Sequence, residues 1–351
     1  MLCGTNNERV TEDIRAVFEE ANSCILCSRI GTPAYVGLRD YTFGTAGQWH
    51  YRECRPCGLL WLSPRPVLSS MGQFYTNYLT HGPKTDHASA RRVYDRFKLA
   101  LWRRALRQER SDQDWWWDQI VRVASADPFV REIGQMGTMY LGASKPGKLL
   151  DVGCGNGSFL SLMRSAGWDV SGIEPDPKAA DLARQRLGIP IRGGELFEAG
   201  FGAGSFDAVT LQHVIEHVHD PIGVLSECRR ILKPKGQLVI VTPNLQSVGH
   251  KWFRSDWRGL EPPRHLHIFS SRALERAVEM AGMRIELHRT SGRAGAFIWL
   301  ESQAISKTRL GKGKRRASLT AASAFLAWER IVNALYPGTG EELVFAASPT
   351  T

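Results

Sequence analysis

The chain has 351 residues and a formal net charge of +10, with 43% hydrophobic and 23% charged residues. These values are typical of a globular protein with room for one large domain and a smaller one. They exclude a transmembrane chain, because no run of roughly 18 apolar residues occurs, and the early acidic residues argue against a signal peptide. We therefore expect a cytoplasmic protein without a transmembrane segment.

Two cysteine pairs stand out near the N-terminus. Residues 1–20 are predicted to form a helix, and the pairs follow within residues 21–66. They are Cys24 with Cys27 and Cys54 with Cys57. Two residues separate the thiols of each pair, so both sulfurs can face one metal ion, and four thiolates suit Zn(II) in a closed, structural site. We predict a zinc ribbon; unrelated thiols or two disulfides are the alternatives, and disulfides fit a cytoplasmic chain poorly.

The next segment, residues 67–145, is predicted to be a mainly helical lid with a break at Asp127–Pro128. It contains a basic stretch, Ala90–Arg107, and three consecutive tryptophans, Trp115 to Trp117. Basic stretches are commonly solvated surfaces, but they can also hold an acidic substrate, nucleic acid or a membrane surface. The tryptophans either stack on a sugar or aromatic substrate or pack the lid onto the core.

The stretch LLDVGCGNGSFL, Leu149 to Leu160, joins an apolar strand to an amphipathic helix through a glycine-rich turn, and the next strand ends at Glu174. This order is that of a nucleotide-binding unit, in which glycines let the backbone approach the ligand and the acid accepts hydrogen bonds from a ribose diol. Asp151 beside the loop would repel a pyrophosphate and attract an ammonium or sulfonium. The pattern therefore points to S-adenosylmethionine.

LLDVGCGNGSFL resembles motif I of the class I S-adenosylmethionine-dependent methyltransferases, and GIEPDP resembles their second motif. Later segments resemble the family's third to fifth strands, in the expected order, and EELVFAASP resembles its last strand. The resemblance implies an α/β fold with a Rossmann-like seven-stranded sheet over residues 146–351, interrupted by an insertion at about 291–340. It also implies nine cofactor-binding residues. These are Asp151, Gly153, Cys154, Gly155, Gly157, Glu174, Pro175, Glu195 and Gln212.

A first histidine cluster, QHVIEHVHD, follows the fourth strand at the edge of the sheet where ligands bind in open α/β folds. Its Glu216–His217 pair resembles a pair that lies near the transferred methyl group in ubiquinone-pathway O-methyltransferases and in zinc-containing sugar C-methyltransferases. We expect His217 to be the general base, assisted by Glu216. His213, the third candidate catalytic residue, stands where some ubiquinone-pathway enzymes have an acid that helps to hold a divalent metal. A purely structural hydrogen bond is the alternative for His217.

A second cluster, EPPRHLHIFS, also resembles a segment of this subgroup. The resemblance implies that Arg264, His265 and His267 bind an anionic or hydroxyl-rich substrate. Two alternatives are purely structural: Arg264 pairs with Glu261, and His267 faces solvent.

These features predict a methyltransferase that acts on a small molecule, by O-methylation of a sugar, polysaccharide precursor or secondary metabolite. C-methylation of a nucleotide sugar, methylation of a ribosomal-RNA guanine and a non-catalytic cofactor-binding module are the alternatives. No Asn-Pro-Pro-Tyr-type motif follows the fourth strand, so we do not expect nucleic acid as the partner; steep salt dependence of RNA binding would favour it. A monomer, a homodimer and a peripheral membrane contact through residues 291–340 all stay open.

Overall fold

The computed structural model describes residues 16–75, 90–107, 115–189, 191–312 and 318–350. Short strands dominate its N-terminal part. They are β1 (Phe18–Glu19), β2 (Thr32–Leu38), β3 (Trp49–Cys54), β4 (Leu59–Leu62) and β5 (Arg65–Pro66), followed by a 3-10 helix (Leu68–Tyr75). We call residues 18–66 the four-cysteine module. Its position agrees with the predicted zinc ribbon.

The predicted helix over residues 1–20 lies mostly outside the described residues. For the described residues 18–19 the prediction is wrong, because they form a strand. Phe18–Glu19 is extended because it pairs antiparallel with Arg65–Pro66. The pairing is reinforced by the Val17 backbone N–H, which donates to Ser70 Oγ at 3.0 Å. These partners are about 50 residues away in the chain, so no local helix signal could compete with them.

The described residues of the lid segment are mainly helical, as the sequence predicts. It contains α1 (Ala90–Ala105), α2 (Trp115–Ala124) and α3 (Pro128–Gly137), followed by a 3-10 helix (Leu141–Ala143). Asp127 caps α3 by accepting a hydrogen bond from Phe129 N, and Pro128 occupies the first turn. Trp117 packs against the α1–α3 cluster, whereas Trp116 keeps 71% of its surface exposed. The packing interpretation therefore holds for Trp117 and not for Trp116.

The remaining chain forms the main domain. Its strands are β6 (Lys148–Val152), β7 (Asp169–Glu174), β8 (Ile191–Gly193), β9 (Phe206–Gln212), β10 (Leu232–Pro243), β11 (His267–Phe269), β12 (Met283–Ser291) and β13 (Glu342–Pro349). Its helices are α4 (Ser158–Ser165), α5 (Pro177–Leu187), α6 (Pro221–Ile231), α7 (Val248–Phe253), α8 (Ser271–Met280), α9 (Gly295–Arg309) and α10 (Leu319–Leu335).

Seven of these strands form one sheet in the order β12-β13-β10-β9-β6-β7-β8. Five neighbouring strands run parallel to one another, in the order β10, β9, β6, β7 and β8. The strand β13 is antiparallel to both β10 and β12. Leu149 and Leu150 are both fully buried but belong to different core clusters. This alternation shows that helices cover both faces of the sheet. The predicted Rossmann-like sheet and its returning last strand are confirmed.

The strand β11 lies outside that sheet. It pairs antiparallel with β4 and extends the sheet of the four-cysteine module to the order β11-β4-β3-β2. The module is therefore not a separate appendage, because the main domain supplies its edge strand. None of the described helices is long and apolar enough to cross a membrane.

Candidate active site

The glycine loop between β6 and α4 has the backbone shape that its composition predicts. Gly153, Gly155 and Gly157 have φ angles of 69°, 53° and 73°, in the left-handed region that side chains disfavour. A Cβ on Gly153 would lie 2.6 Å from Val214 Cγ2. The loop thus requires glycine for both conformation and space, which leaves its backbone open to a ligand.

Glu174 lies at the carboxyl end of β7 and faces this loop. Its carboxylate accepts hydrogen bonds from Gly155 N at 2.7 Å and from Asp176 N at 2.9 Å. The placement fits the predicted contact with a ribose.

Asp151, at the end of β6, is buried and accepts a hydrogen bond from Thr210 Oγ1 at 2.6 Å. Burial raises the pKa of Asp151 to about 7, with the Thr210 bond opposing and the Glu174 charge adding to the rise. A cation bound nearby would stabilise the ionised form. The charge of the Asp151 carboxyl group therefore depends on whether a cation is bound beside it.

The other predicted cofactor residues have less uniform surroundings. The Cys154 thiol is buried against the neighbouring strand, where a Cβ on Gly172 would meet its Sγ at 2.8 Å. Pro175 is exposed, and Gln212 is half-buried at the end of β9. Glu195 caps a 3-10 helix in a reciprocal box with Glu198. Their contacts with a cofactor stay predictions.

His213 lies at the site but has both ring nitrogens engaged. Nδ1 is 3.1 Å from Glu216 Oε1, and Nε2 is 3.0 Å from Glu342 Oε1. Desolvation acts to lower the pKa of His213, but the hydrogen bonds with the two carboxylates raise it to about 10. The two carboxylate partners favour the imidazolium form of a ring that is 41% exposed. A catalytic role for His213 stays a prediction.

His217 is held differently. Its Nδ1 lies 3.0 Å from the Arg264 carbonyl oxygen and 2.9 Å from Tyr75 Oη. Because a carbonyl can only accept, Nδ1 carries the proton and Nε2 keeps its lone pair. Among the described residues, Nε2 has no hydrogen-bond partner. His217 thus has the tautomer that a general base needs.

Glu216 makes no hydrogen bond to the His217 ring, so its predicted assistance to His217 stays a prediction. It is fully buried, and its carboxylate contacts His213 and accepts a hydrogen bond from Thr242 Oγ1 at 2.9 Å. Its backbone carbonyl instead accepts from Leu266 N at 2.7 Å, which ties the two histidine clusters together. The orientation of His217 therefore comes from Arg264 and Tyr75.

His265 packs edge-on against His217, with ring centroids 4.6 Å apart. Its Nδ1 donates to the Gly259 carbonyl at 2.7 Å, and burial, with a contribution from His217, holds the pKa of His265 well below its ordinary value. Three potential metal-ligand atoms lie within 4.8 Å of one another, one each from Glu216, His217 and His265. The trio can share a proton or coordinate a divalent ion.

The remaining two substrate candidates are buried. Arg264 is fully enclosed and pairs with Asp40 of the four-cysteine module, while its Nε is 3.8 Å from Glu261 Oε1. His267, on β11, is 1% exposed, and burial lowers its pKa to about 3. These positions favour structural roles, and the solvent-facing alternative for His267 is wrong because its side chain is buried.

The four cysteines come together as predicted. The four sulfur atoms lie within 4.8 Å of one another and belong to Cys24, Cys27, Cys54 and Cys57. The Cys27 and Cys54 sulfurs are 3.6 Å apart. Tetrahedral Zn–S bonds of about 2.3 Å place sulfurs roughly 3.8 Å apart. The donor set and its spacing fit a structural zinc ion.

Four contributors to the site were not recognised in the sequence: Thr210, Tyr75, Tyr51 and Asp40. Thr210 lies opposite Asp151 in the sheet register, which an alignment of parallel strands could have revealed. The other three come from the N-terminal 75 residues, and no local pattern marks them as partners of the histidine clusters.

Comparison with known proteins supports the class of this fold. Residues 130–288 match a family model described as a methyltransferase domain. A ubiquinone biosynthesis O-methyltransferase of Haemophilus ducreyi is 36% identical over 107 residues, which cover 28% of this chain and 45% of the relative. Its counterpart in Cereibacter sphaeroides is 31% identical over 155 residues, 39% of this chain and 63% of the relative. The chain thus spans about half the length of these relatives.

A solved structure from Thermotoga maritima, described as a methyltransferase and possible histamine N-methyltransferase, is 18% identical with a TM-score of 0.43 over 61% of this chain and 89% of its own. A likeness at this level carries no argument of its own. The family match over residues 130–288, the strand order and the glycine loop together support a methyltransferase domain of the class I, S-adenosylmethionine-dependent type.

Proposed function

We propose that the protein transfers a methyl group from S-adenosylmethionine to a hydroxyl of a small molecule, with His217 as the general base. One observation carries the base assignment: the Arg264 carbonyl fixes the proton of His217 on Nδ1 and leaves Nε2 available. This nitrogen lies on the turn after β9, at the carboxyl edge of the sheet next to β6 and its glycine loop.

The residues around the loop fit the cofactor. Gly153 and its neighbours leave the backbone uncovered, Glu174 presents a carboxylate for the ribose, and Asp151 presents one for the cationic tail. S-adenosylmethionine supplies an electrophilic methyl group on a sulfonium. The protein's contribution is to align the acceptor with that methyl group and to exclude water.

In the transfer, the acceptor oxygen forms a bond to the methyl carbon as the carbon–sulfur bond breaks and its electron pair stays on sulfur. His217 Nε2 takes the hydroxyl proton and later releases it to solvent. The buried His265 ring keeps one side of His217 apolar and uncharged, while the His213 imidazolium balances Glu216 and Glu342. His217 Nε2 is therefore the ring nitrogen that is placed to take the proton.

A sugar, polysaccharide precursor or secondary metabolite is our proposed acceptor. The curated relatives carry names for small-molecule O-methylation, which supports a hydroxyl acceptor. Trp116 is exposed, as stacking on such a compound would require. We also propose a structural zinc ion in the cysteine cluster; six described cysteines are unpaired by disulfides, which supports a reducing, cytoplasmic setting.

The test combines calorimetric titration with S-adenosylmethionine and an acceptor screen of nucleotide sugars, free sugars, phenols and RNA, read as a mass gain of one methyl group. We expect His217→Asn to lower kcat about 10²- to 10⁴-fold, the usual contribution of a general base. Cofactor affinity should stay unchanged in this variant.

His288→Asn is the matched control. This histidine lies on the outer strand β12 and is hydrogen-bonded to Ser271 at the start of α8. It should leave both affinity and turnover unchanged. Full turnover in His217→Asn would reject the base assignment. A folded wild-type protein that binds no cofactor would reject the enzyme altogether, and salt-sensitive methylation of RNA would replace the small-molecule acceptor.

A further inference from the structure

Three consecutive residues next to the proposed base are held by the four-cysteine module. Arg264, His265 and Leu266 follow the 3-10 turns after α7 and precede β11. Arg264 Nη1 and Nη2 donate to Asp40 Oδ2 at 2.8 and 2.6 Å. Leu62 N donates to the Leu266 carbonyl at 3.0 Å. The module therefore holds this segment on both sides of His265.

Tyr51 completes the contact. Its hydroxyl lies 2.7 Å from the His265 carbonyl and 2.6 Å from the Leu260 carbonyl, and its side chain is fully buried on β3. A single hydroxyl proton shared by two carbonyl acceptors fixes the distance between the two ends of the 260–265 turn. Gly259 lies directly before that turn, and its carbonyl oxygen accepts the Nδ1 proton of His265.

Asp40 is itself built for this task. Its Oδ1 accepts from Thr42 N at 3.1 Å and from Phe43 N at 2.9 Å, so the carboxylate is fixed within its own turn. The Arg264 guanidinium stacks 4.2 Å from the centre of the Phe43 ring. The carbonyl of the same arginine accepts the proton of His217 Nδ1. The Asp40 carboxylate of the module is thus connected to His217, the proposed base, through Arg264 alone.

We propose that Tyr51 and Asp40 are positioning residues, through which the four-cysteine module sets the tautomers and spacing of His265 and His217. The inference rests on the proposed function, in that it assigns the module to the acceptor side of that site. The metal ion would then stabilise one wall of the active site rather than a separate binding domain.

The experiment follows the histidine rings of the full-length, zinc-loaded chain by nitrogen-15 NMR, with S-adenosylhomocysteine present. In the wild type we expect His217 and His265 to keep their proton on Nδ1. In Tyr51→Phe we expect a second tautomer of His265 and shifted nitrogen-15 signals of His217. With any acceptor that the screen identifies, kcat should fall about tenfold, because small displacements of catalytic groups are costly, while cofactor affinity stays within about twofold.

Tyr35→Phe is the matched control. It removes a hydroxyl of the same module that contacts His250 on α7, at 2.8 Å from Nε2, and not the 260–265 turn. It should leave both rings and the pH profile of turnover unchanged. Asp40→Asn provides the second variant and should shift the His217 signals more than those of His265.

A lowered Tm in Tyr51→Phe with unchanged ring signals and pH profile would overturn the proposal and leave a purely structural hydrogen bond. The NMR signals do not require turnover. A wild-type protein without methyltransferase activity would therefore reject the proposed function while the positioning contacts are still tested.

Discussion

The two halves of the candidate site are built in different ways. The cofactor half comes from residues 151–174, in which one strand, one glycine loop and one further strand supply Asp151, the loop backbone and Glu174. The acceptor half combines the turn after β9, the segment before β11 and the four-cysteine module, with contacts such as Asp40–Arg264 that span 224 residues. A local half can be preorganised by one supersecondary unit, whereas the acceptor half depends on docking between distant parts.

Loss of the metal should give the largest difference in effect between the acceptor half and the cofactor half of the site. Cys57→Ser should lose zinc and unfold the sheet that β4 shares with β11, because a module of this size depends on its metal for stability. Turnover should fall by about 100-fold or more, whereas cofactor affinity should change less than about threefold. Metal content, amide hydrogen exchange and calorimetry measure these effects.

The control for this variant is Cys228→Ser, which changes a buried cysteine of the main core and not the cluster. It should keep the zinc ion. If the metal-free variant retained normal turnover, the acceptor half would not depend on the module.

The second change affects the cofactor half alone. In Gly153→Ala the new Cβ would adopt a φ of 69° and meet Val214, so we expect cofactor binding to weaken roughly 10- to 100-fold, the equivalent of about 1–3 kcal/mol of strain. Zinc content and the exchange of the module's amides should not change. Calorimetric titration measures the loss.

Gly188→Ala provides the comparison, because Gly188 has a φ of 62° at the end of α5 with open space around its Cβ position. It should lower Tm slightly and leave cofactor affinity intact. Equal loss of affinity in both variants would mean that general destabilisation, and not the loop, is being measured.

The smallest expected effect is a pH dependence of cofactor affinity. Burial raises the pKa of Asp151 from 3.8 to about 7, so the folded carboxyl binds its proton more tightly than the unfolded one. Stability of the cofactor-free protein should therefore fall as pH rises from 3.8 to about 7. Since the cationic cofactor favours the ionised carboxylate, its affinity should rise about fivefold between pH 6 and 7.

Titrations across this range in the wild type and in Asp151→Asn measure the effect. The variant should bind more weakly and show a flat profile. Asp176→Asn, which changes the capping residue of α5, should keep the slope of the wild type. A flat profile in the wild type would show that Asp151 does not meet the positive charge of the cofactor.

Much of the fold could be predicted because its signals are local. The glycine spacing and the acid that ends β7 each lie within a few residues of the structure that they specify. The cysteine spacing likewise predicted a four-sulfur cluster. The contacts of His213 were not predictable, because Glu342, one of its two partners, lies 129 residues further along the chain.

The sequence by itself determined the sheet, the cofactor loop and the cysteine cluster, since side-chain periodicity, glycine conformation and ligand spacing act over short distances. Only the tertiary structure decided the acceptor half. It placed β11 beside β4, buried Arg264 against Asp40 and gave His217 its tautomer. A histidine is a base, a cation or a buried hydrogen-bond donor according to the groups that face it, and those groups come from segments that only folding brings together.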